Sequence, residues 1–167
     1  MNIPENSAYR VIASNGEART AIREIIDSAT QEIMIFDRTP TTLRDRDVGS
    51  PEIIDAMRKM LLGGKFRKIR VVLQEVQGIE GELPRLVALL AQFGGQVVIH
   101  RAVGVARDLQ DVLLVADAHS AWRKPVHSHP RSVVNLRDDA AVKPYLERFE
   151  EIWINSEMAV ADRQSGL

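Results

Sequence analysis

Between Ala118 and Val133 the chain carries no acidic residue, yet His119, Arg123, Lys124, His127, His129 and Arg131 all fall inside that stretch. Cations gathered in this way can hold phosphate oxygens, arginine through paired donors and protonated histidine through added charge. The competing reading is a solvated hairpin and turn beside Pro125 and Pro130, since charge runs usually face water. Three of the four histidines lie here. On an extended chain His127-x-His129 would point two imidazoles the same way, with Asp117 or His119 as a further metal ligand. No complete ligand set accompanies them, so no metal site is expected, and no cofactor is implied.

A second set of polar residues stands just past apolar runs: Asp37-Arg38, Gln74-Glu75 and His100-Arg101. In open α/β sheets ligands bind beyond the carboxyl ends of the strands, which makes Asp37, Arg38, Glu75, His100 and Arg101 candidates alongside Arg123, Lys124 and His127. Strands also emerge into water with polar residues for no functional reason, and that plainer account stands beside the first. Trp122, flanked by Arg123 and Lys124, could face a cleft or a partner, whereas Trp153 lies on an apolar helical face and is expected in the core.

The elements that must position these groups are readable from periodicity. Tyr9, Val11 and Ala13 alternate as a short strand, and Asn15-Gly16 turns the chain into a helix whose apolar stripe includes Ala18, Ala21, Ile22, Ile25 and Ile26. Glu32 to Phe36 reads as a buried strand ending at Asp37, and Arg38 to Gly49, lacking periodicity, as a surface loop. Ser50 then caps a helix with Pro51 at its first position and Glu52 in its first turn. A strand over 69–73, a helical stripe from Leu83 to Phe93 and a strand over 96–100 continue the alternation, which predicts βαβ units with substantially parallel strands. The loop 101–110, a strand over 111–117 and two short strands, 120–124 and 132–136, follow with connections short enough for antiparallel pairing. Asp138 or Asp139 opens a final helix with Val142, Tyr145, Leu146, Phe149, Ile152 and Trp153 on one face, and Met158 to Leu167 reads as a frayed tail.

The composition sets bounds on function. With 167 residues, 45% hydrophobic and 27% charged, one globular domain is the default. A net charge of −1 predicts no global attraction to nucleic acid or anionic lipid, so any anion site must be local. The absence of cysteine excludes disulfides and thiolate metal clusters and fits a reducing, cytoplasmic setting. Neither a signal sequence nor an apolar run long enough to span a bilayer is expected.

The run from Asp111 to Ser156, with its buried strand ending in Asp117 and its closing Phe149-Glu-Glu-Ile-Trp153, resembles the second part of a domain of the phospholipase D superfamily. The preceding β-α alternation extends the likeness over Tyr9 to Ser156. It implies a single half-unit over residues 1–156, a mixed sheet flanked by helices, with 157–167 as a disordered tail. A flavodoxin-like doubly wound domain is the competitor, and it would require helices between the last strands.

In that family the strand carries His-x-Lys-x-x-x-x-Asp. Placing Asp117 on the motif's Asp puts Gln110 where the nucleophilic His would stand and Val112 where the Lys would stand. An amide is a poor nucleophile and valine brings neither charge nor donor. The resemblance therefore implies a non-catalytic binding or interaction module, with a phosphate-containing ligand and a homodimer formed through the surface that joins half-sites in family enzymes; nucleic acid is a weaker alternative. The other course open to the chain is phosphoryl transfer or phosphodiester cleavage by non-family groups, for instance His100 with Asp37 and the basic cluster. Asp117 has two readings, a structural carboxylate or a surviving acid, and the first is favoured because no His remains for it to orient.

Overall fold

Three amphipathic runs start as helices behind a capping side chain, Ser14, Ser50 and Asp138, while the run from Pro84 starts without one. The computed structural model describes residues 6–160, so residues 1–5 and 161–167, the outer parts of the expected domain and tail, lie outside the described residues. After strand β1 (Ala8–Ile12) the Ser14 hydroxyl accepts from the Glu17 N–H and opens helix α1 (Asn15–Ser28). Strand β2 (Glu32–Asp37) follows, then helices α2 (Pro40–Asp45) and α3 (Pro51–Leu62), strand β3 (Lys68–Leu73), helices α4 (Ile79–Glu82) and α5 (Pro84–Gln92), and strand β4 (Val97–Ala102). A 3₁₀ turn over Gly104–Asp108 leads to strands β5 (Val112–Ala116), β6 (Ser120–Lys124) and β7 (Ser132–Leu136), helix α6 (Asp139–Ile154) and strand β8 (Ser156–Val160).

One eight-stranded sheet results, in the order β1-β7-β6-β5-β2-β3-β4-β8. β2, β3 and β4 run parallel, while β5, β6, β7 and the two edge strands pair antiparallel, the short connections between β5, β6 and β7 allowing only that for those three. Because side chains alternate across a strand, β2 and β5 each feed two cores. Ile33, Ile35, Val112 and Leu114 join α1, α3 and α5 on one face, and Met34, Phe36, Leu113 and Val115 meet Val142, Phe149 and Ile152 of α6 on the other. The mixed sheet flanked by helices is the architecture expected.

Four sequence-based expectations need correction, the last of them Trp153. The stretch 38–49 is not a plain loop: Thr39 caps α2 in a reciprocal box with Thr42, and Pro40 sits at the first helical position. β4 runs to Ala102, two residues further than expected, which puts His100 and Arg101 inside the strand. Glu157 to Val160, expected in a disordered tail, form β8 and pair with β4. Trp122 is core, 1% exposed, with its indole N–H donating to Ser132 at 3.0 Å. Trp153 is only partly buried and lies on the second core's rim, stacked on His100 at 3.7 Å. Among the described residues no helix is long and apolar enough to cross a membrane.

Candidate functional site

At the carboxyl end of β2 the chain spends one carboxylate on several donors. Asp37 is fully buried and accepts from the Arg38 N–H at 2.7 Å, the Thr42 hydroxyl at 3.0 Å and the Arg46 Nε at 2.8 Å. α2 makes this possible, because its cap turns the chain back so that Arg46, at its far end, reaches the strand it left. Arg46 also lies over the Trp122 ring at 5.2 Å, a cation–π contact on the same face.

Lys124, the last residue of β6, points to this spot, since it shares a face with Trp122 and faces α1. It is 4% exposed, and its Nζ donates to the Asn15 side-chain oxygen at 3.3 Å. Burial lowers its pKa, the Arg46 charge lowers it further, and Asp37 opposes both. Beyond Lys124 the backbone N–H of His127 donates to the Gln110 carbonyl at 2.8 Å, which prolongs the β5–β6 pairing and sets the imidazole beside Arg38. Arg38 Nη1 lies 2.7 Å from His127 Nδ1 and makes a closer contact with Nε2. An imidazole nitrogen that accepts from a guanidinium is unprotonated. His127 is accordingly held below its ordinary pKa, first by burial and then by Arg38 and Lys124.

The outcome is a cluster of Arg38, Arg46, Lys124 and His127 about a single buried carboxylate. Of these, only Arg46 has a salt bridge to an acid among the described residues. Two cavities lie on either side of the Arg38–His127 contact. An inner one of about 210 Å³ is bordered by Asn15, Arg19, Arg46, Lys124 and His127. An outer cleft of about 580 Å³ is bordered by Arg38, Gln74, Glu75, Arg107 and Asp108.

Other candidates do not join the cluster. Arg123 faces away from Lys124, toward α6, where it lies 3.7 Å from Asp111 and 5.9 Å from the Tyr145 ring; Arg148 holds the same Asp111 at 3.0 Å. His100 stacks on Trp153 and meets the Ser156 hydroxyl at 2.8 Å, and burial, then Arg70, lowers its pKa. It stands two strands from β2 on the face opposite Asp37, so the pair cannot converge on one substrate atom. Arg101 is paired with Glu157. His119 is exposed beside Asp139, and His129 and Arg131 are exposed. Among the described residues no three His or carboxylate groups gather at metal-binding range.

At the compared motif positions Gln110 is exposed, its amide donating to the Asp108 carbonyl at 3.2 Å, and Val112 is 1% exposed in the core. Asp117 is at the opposite end of β5. Its oxygens accept from the N–H groups of Thr30, Gln31 and Glu32 at 2.8, 2.8 and 2.9 Å. We expect Asp117→Ala to lower the unfolding free energy by about 1–3 kcal/mol, the usual range for losing hydrogen bonds to a charged acceptor, and chemical denaturation checks it.

A family profile described as "Domain of unknown function (DUF7931)" matches residues 14–164. No curated protein sequence matches. Among solved structures, Nuc from Salmonella typhimurium, a phospholipase D family member, superposes with a TM-score of 0.63 at 16% identity over 93% of this chain and 100% of that one. NucT from Helicobacter pylori gives 0.62 at 9% identity over 92% of this chain and 99% of that one. TrmBL2, an archaeal chromatin protein described as showing a novel mode of DNA binding, gives 0.61 at 18% identity over 95% of this chain, which spans 56% of that protein. At these identities the likeness is one of fold, and the fold is phospholipase D-like.

Proposed function

The chain belongs to the DUF7931 family, and we propose that it is a non-catalytic module that binds phosphate-containing ligands at the Arg38–Arg46–Lys124–His127 cluster. One observation carries this reading: two cationic side chains, Arg38 and Lys124, stand without a salt bridge among the described residues in a cluster built about a single buried carboxylate, Asp37. Like charges held together in a low-dielectric site repel, and a bound oxyanion relieves that repulsion while accepting their donors. With Gln110 and Val112 at the compared motif positions, neither the family nucleophile nor its lysine is present to turn binding into cleavage.

His127 supplies both the test and the reason for a second reading. Its folded-state pKa is lowered, so it contributes nothing above its ordinary value of 6.5, and native stability is lost as pH falls below that value because the unfolded chain takes up the proton more readily. A bound dianion would raise its pKa again. Sulfate, which keeps its charge throughout this range, should therefore bind more tightly as pH falls below about 6.5, and the increase should vanish in His127→Gln. Calorimetric titration across pH 5–8 reads this, and an absence of sulfate and phosphate binding at every pH would refute the binding reading.

The second reading is a phosphodiesterase that uses His127, favoured by its backbone bond to Gln110, which brings an imidazole next to the position of the missing nucleophile. Enzyme-dependent cleavage of a bis-aryl phosphate, lost in His127→Gln, would establish it against the non-catalytic proposal. Nucleic acid is the lesser ligand class, supported only by the DNA binding stated for the archaeal neighbour and set against a net charge of −1. A homodimer across the cleft mouth, where Val105 is exposed, belongs to the same proposal and is read by sedimentation.

A further inference from the structure

The two cavities that flank the Arg38–His127 contact differ in chemistry. The inner one is basic: Arg19, Arg46 and Lys124 outnumber its one bordering acid, Asp45, beside the neutral imidazole of His127, and the first residue of α1 also borders it. The outer cleft is balanced. Arg38 and Arg107 stand against Glu75 and Asp108, with the amide of Gln74 between them. Among the described residues no aromatic or large apolar side chain borders that cleft, whereas pockets that take flat or greasy ligands are lined mostly by such groups.

Gln74 explains why this outer wall is built rather than incidental. It is 7% exposed, and its amide donates to the carbonyls of Ala106 and Leu109 at 3.1 and 2.8 Å. Those bonds tie the 3₁₀ turn carrying Arg107 and Asp108 to the end of β3, beside Glu75. Carboxylates accept hydrogen bonds from hydroxyls, and guanidiniums donate to hydroxyl oxygens, so the cleft presents both halves of what a hydroxylated surface needs.

Building on the phosphate-binding reading above, we infer that the ligand is a small phosphorylated polyol, such as a sugar phosphate, with its phosphoryl group in the inner cavity and its hydroxyl-bearing body in the outer cleft. Arg38, which borders the outer cleft while touching His127 of the inner one, bridges the two parts of the ligand. A nucleotide base would lack a ring to stack on. A polynucleotide would set further phosphates against Glu75 and Asp108, where like charges repel.

Calorimetric titration of the full chain with four probes tests this: inorganic phosphate, glucose 6-phosphate, adenosine 5′-monophosphate and a short single-stranded oligonucleotide. Glucose 6-phosphate is expected to bind about tenfold more tightly than inorganic phosphate, a gain equivalent to about one added charge-assisted hydrogen bond. Substituting Glu75→Gln together with Asp108→Asn should erase that gain and leave the phosphate affinity itself in place. A circular dichroism melt of the double variant confirms that it is folded, and the single variants serve if it is not. Equal affinity for phosphate and glucose 6-phosphate, or tighter binding of the monophosphate nucleoside or the oligonucleotide, overturns the inference while the phosphate site stands. Failure of all four probes to bind overturns both.

Discussion

Asp37→Ala should be among the most damaging single substitutions at the site, lowering the unfolding free energy by about 3–5 kcal/mol, the range measured when one partner of a buried ion pair is removed. The carboxylate is fully buried and takes hydrogen bonds from a backbone N–H, the Thr42 hydroxyl and the Arg46 guanidinium. Its removal leaves Arg46, with a side chain 13% exposed, next to a buried Lys124 whose charge Asp37 had favoured. For a chain of this size the loss corresponds to a melting point lower by about 6–20 °C. Two further variants separate charge from packing. Asp37→Asn keeps one acceptor and should lose less, while adding Arg46→Met to Asp37→Ala should recover part of the loss, because the stranded charge is then gone. If Asp37→Ala costs under about 1 kcal/mol in a denaturant titration, the carboxylate does not hold the site together.

Why Asp37 was legible beforehand and Arg46 was not follows from how each is placed. Asp37 ends an uninterrupted apolar run, and that alone marks the carboxyl end of a buried strand. Arg46 comes from a six-residue helix too short to show a periodic stripe. Its signal was the cap, Thr39 followed by Pro40, a Thr N-cap before Pro at the first helical position, read instead as loop composition. The basic cluster was legible as a cluster, but strand alternation divides it: Arg123 and Lys124 are neighbours in sequence and face opposite cores. His100 looked like a strand-end residue because the apolar run stops there. β4 continues to Ala102 because β8 pairs along it, and β8, an edge strand with no fully buried residue, carries no buried alternation to announce itself. The fold thus followed from long periodic elements, while the site depended on a short capped helix and on which way each cation points.

Lys124→Met should move stability and ligand affinity in opposite directions, and that divergence separates a functional cation from a structural one. Lys124 is 4% exposed, has no salt bridge among the described residues, and is offered one neutral acceptor, the Asn15 side chain at 3.3 Å. Its lowered pKa, caused first by burial and next by Arg46, means that the fold works against its charge. A folded pKa below the ordinary 10.5 implies stability that is complete only above that value and is lost as pH falls through the lowered pKa, so at neutral pH the ammonium is a standing cost. Methionine preserves the length of the stem without the charge, and the variant should be more stable at pH 7 by about 1 kcal/mol, a margin that shrinks as pH approaches 10.5. Sulfate affinity should fall about ten- to hundredfold, since a charge-assisted hydrogen bond to the anion is lost in a buried site. A structural lysine would give the reverse pattern, lower stability with unchanged sulfate binding, and the anion would then have to be held without it. A protein keeps a buried, poorly paired cation against its own stability where something outside the chain completes the pairing, and in the binding mode proposed above that group is the ligand's oxyanion.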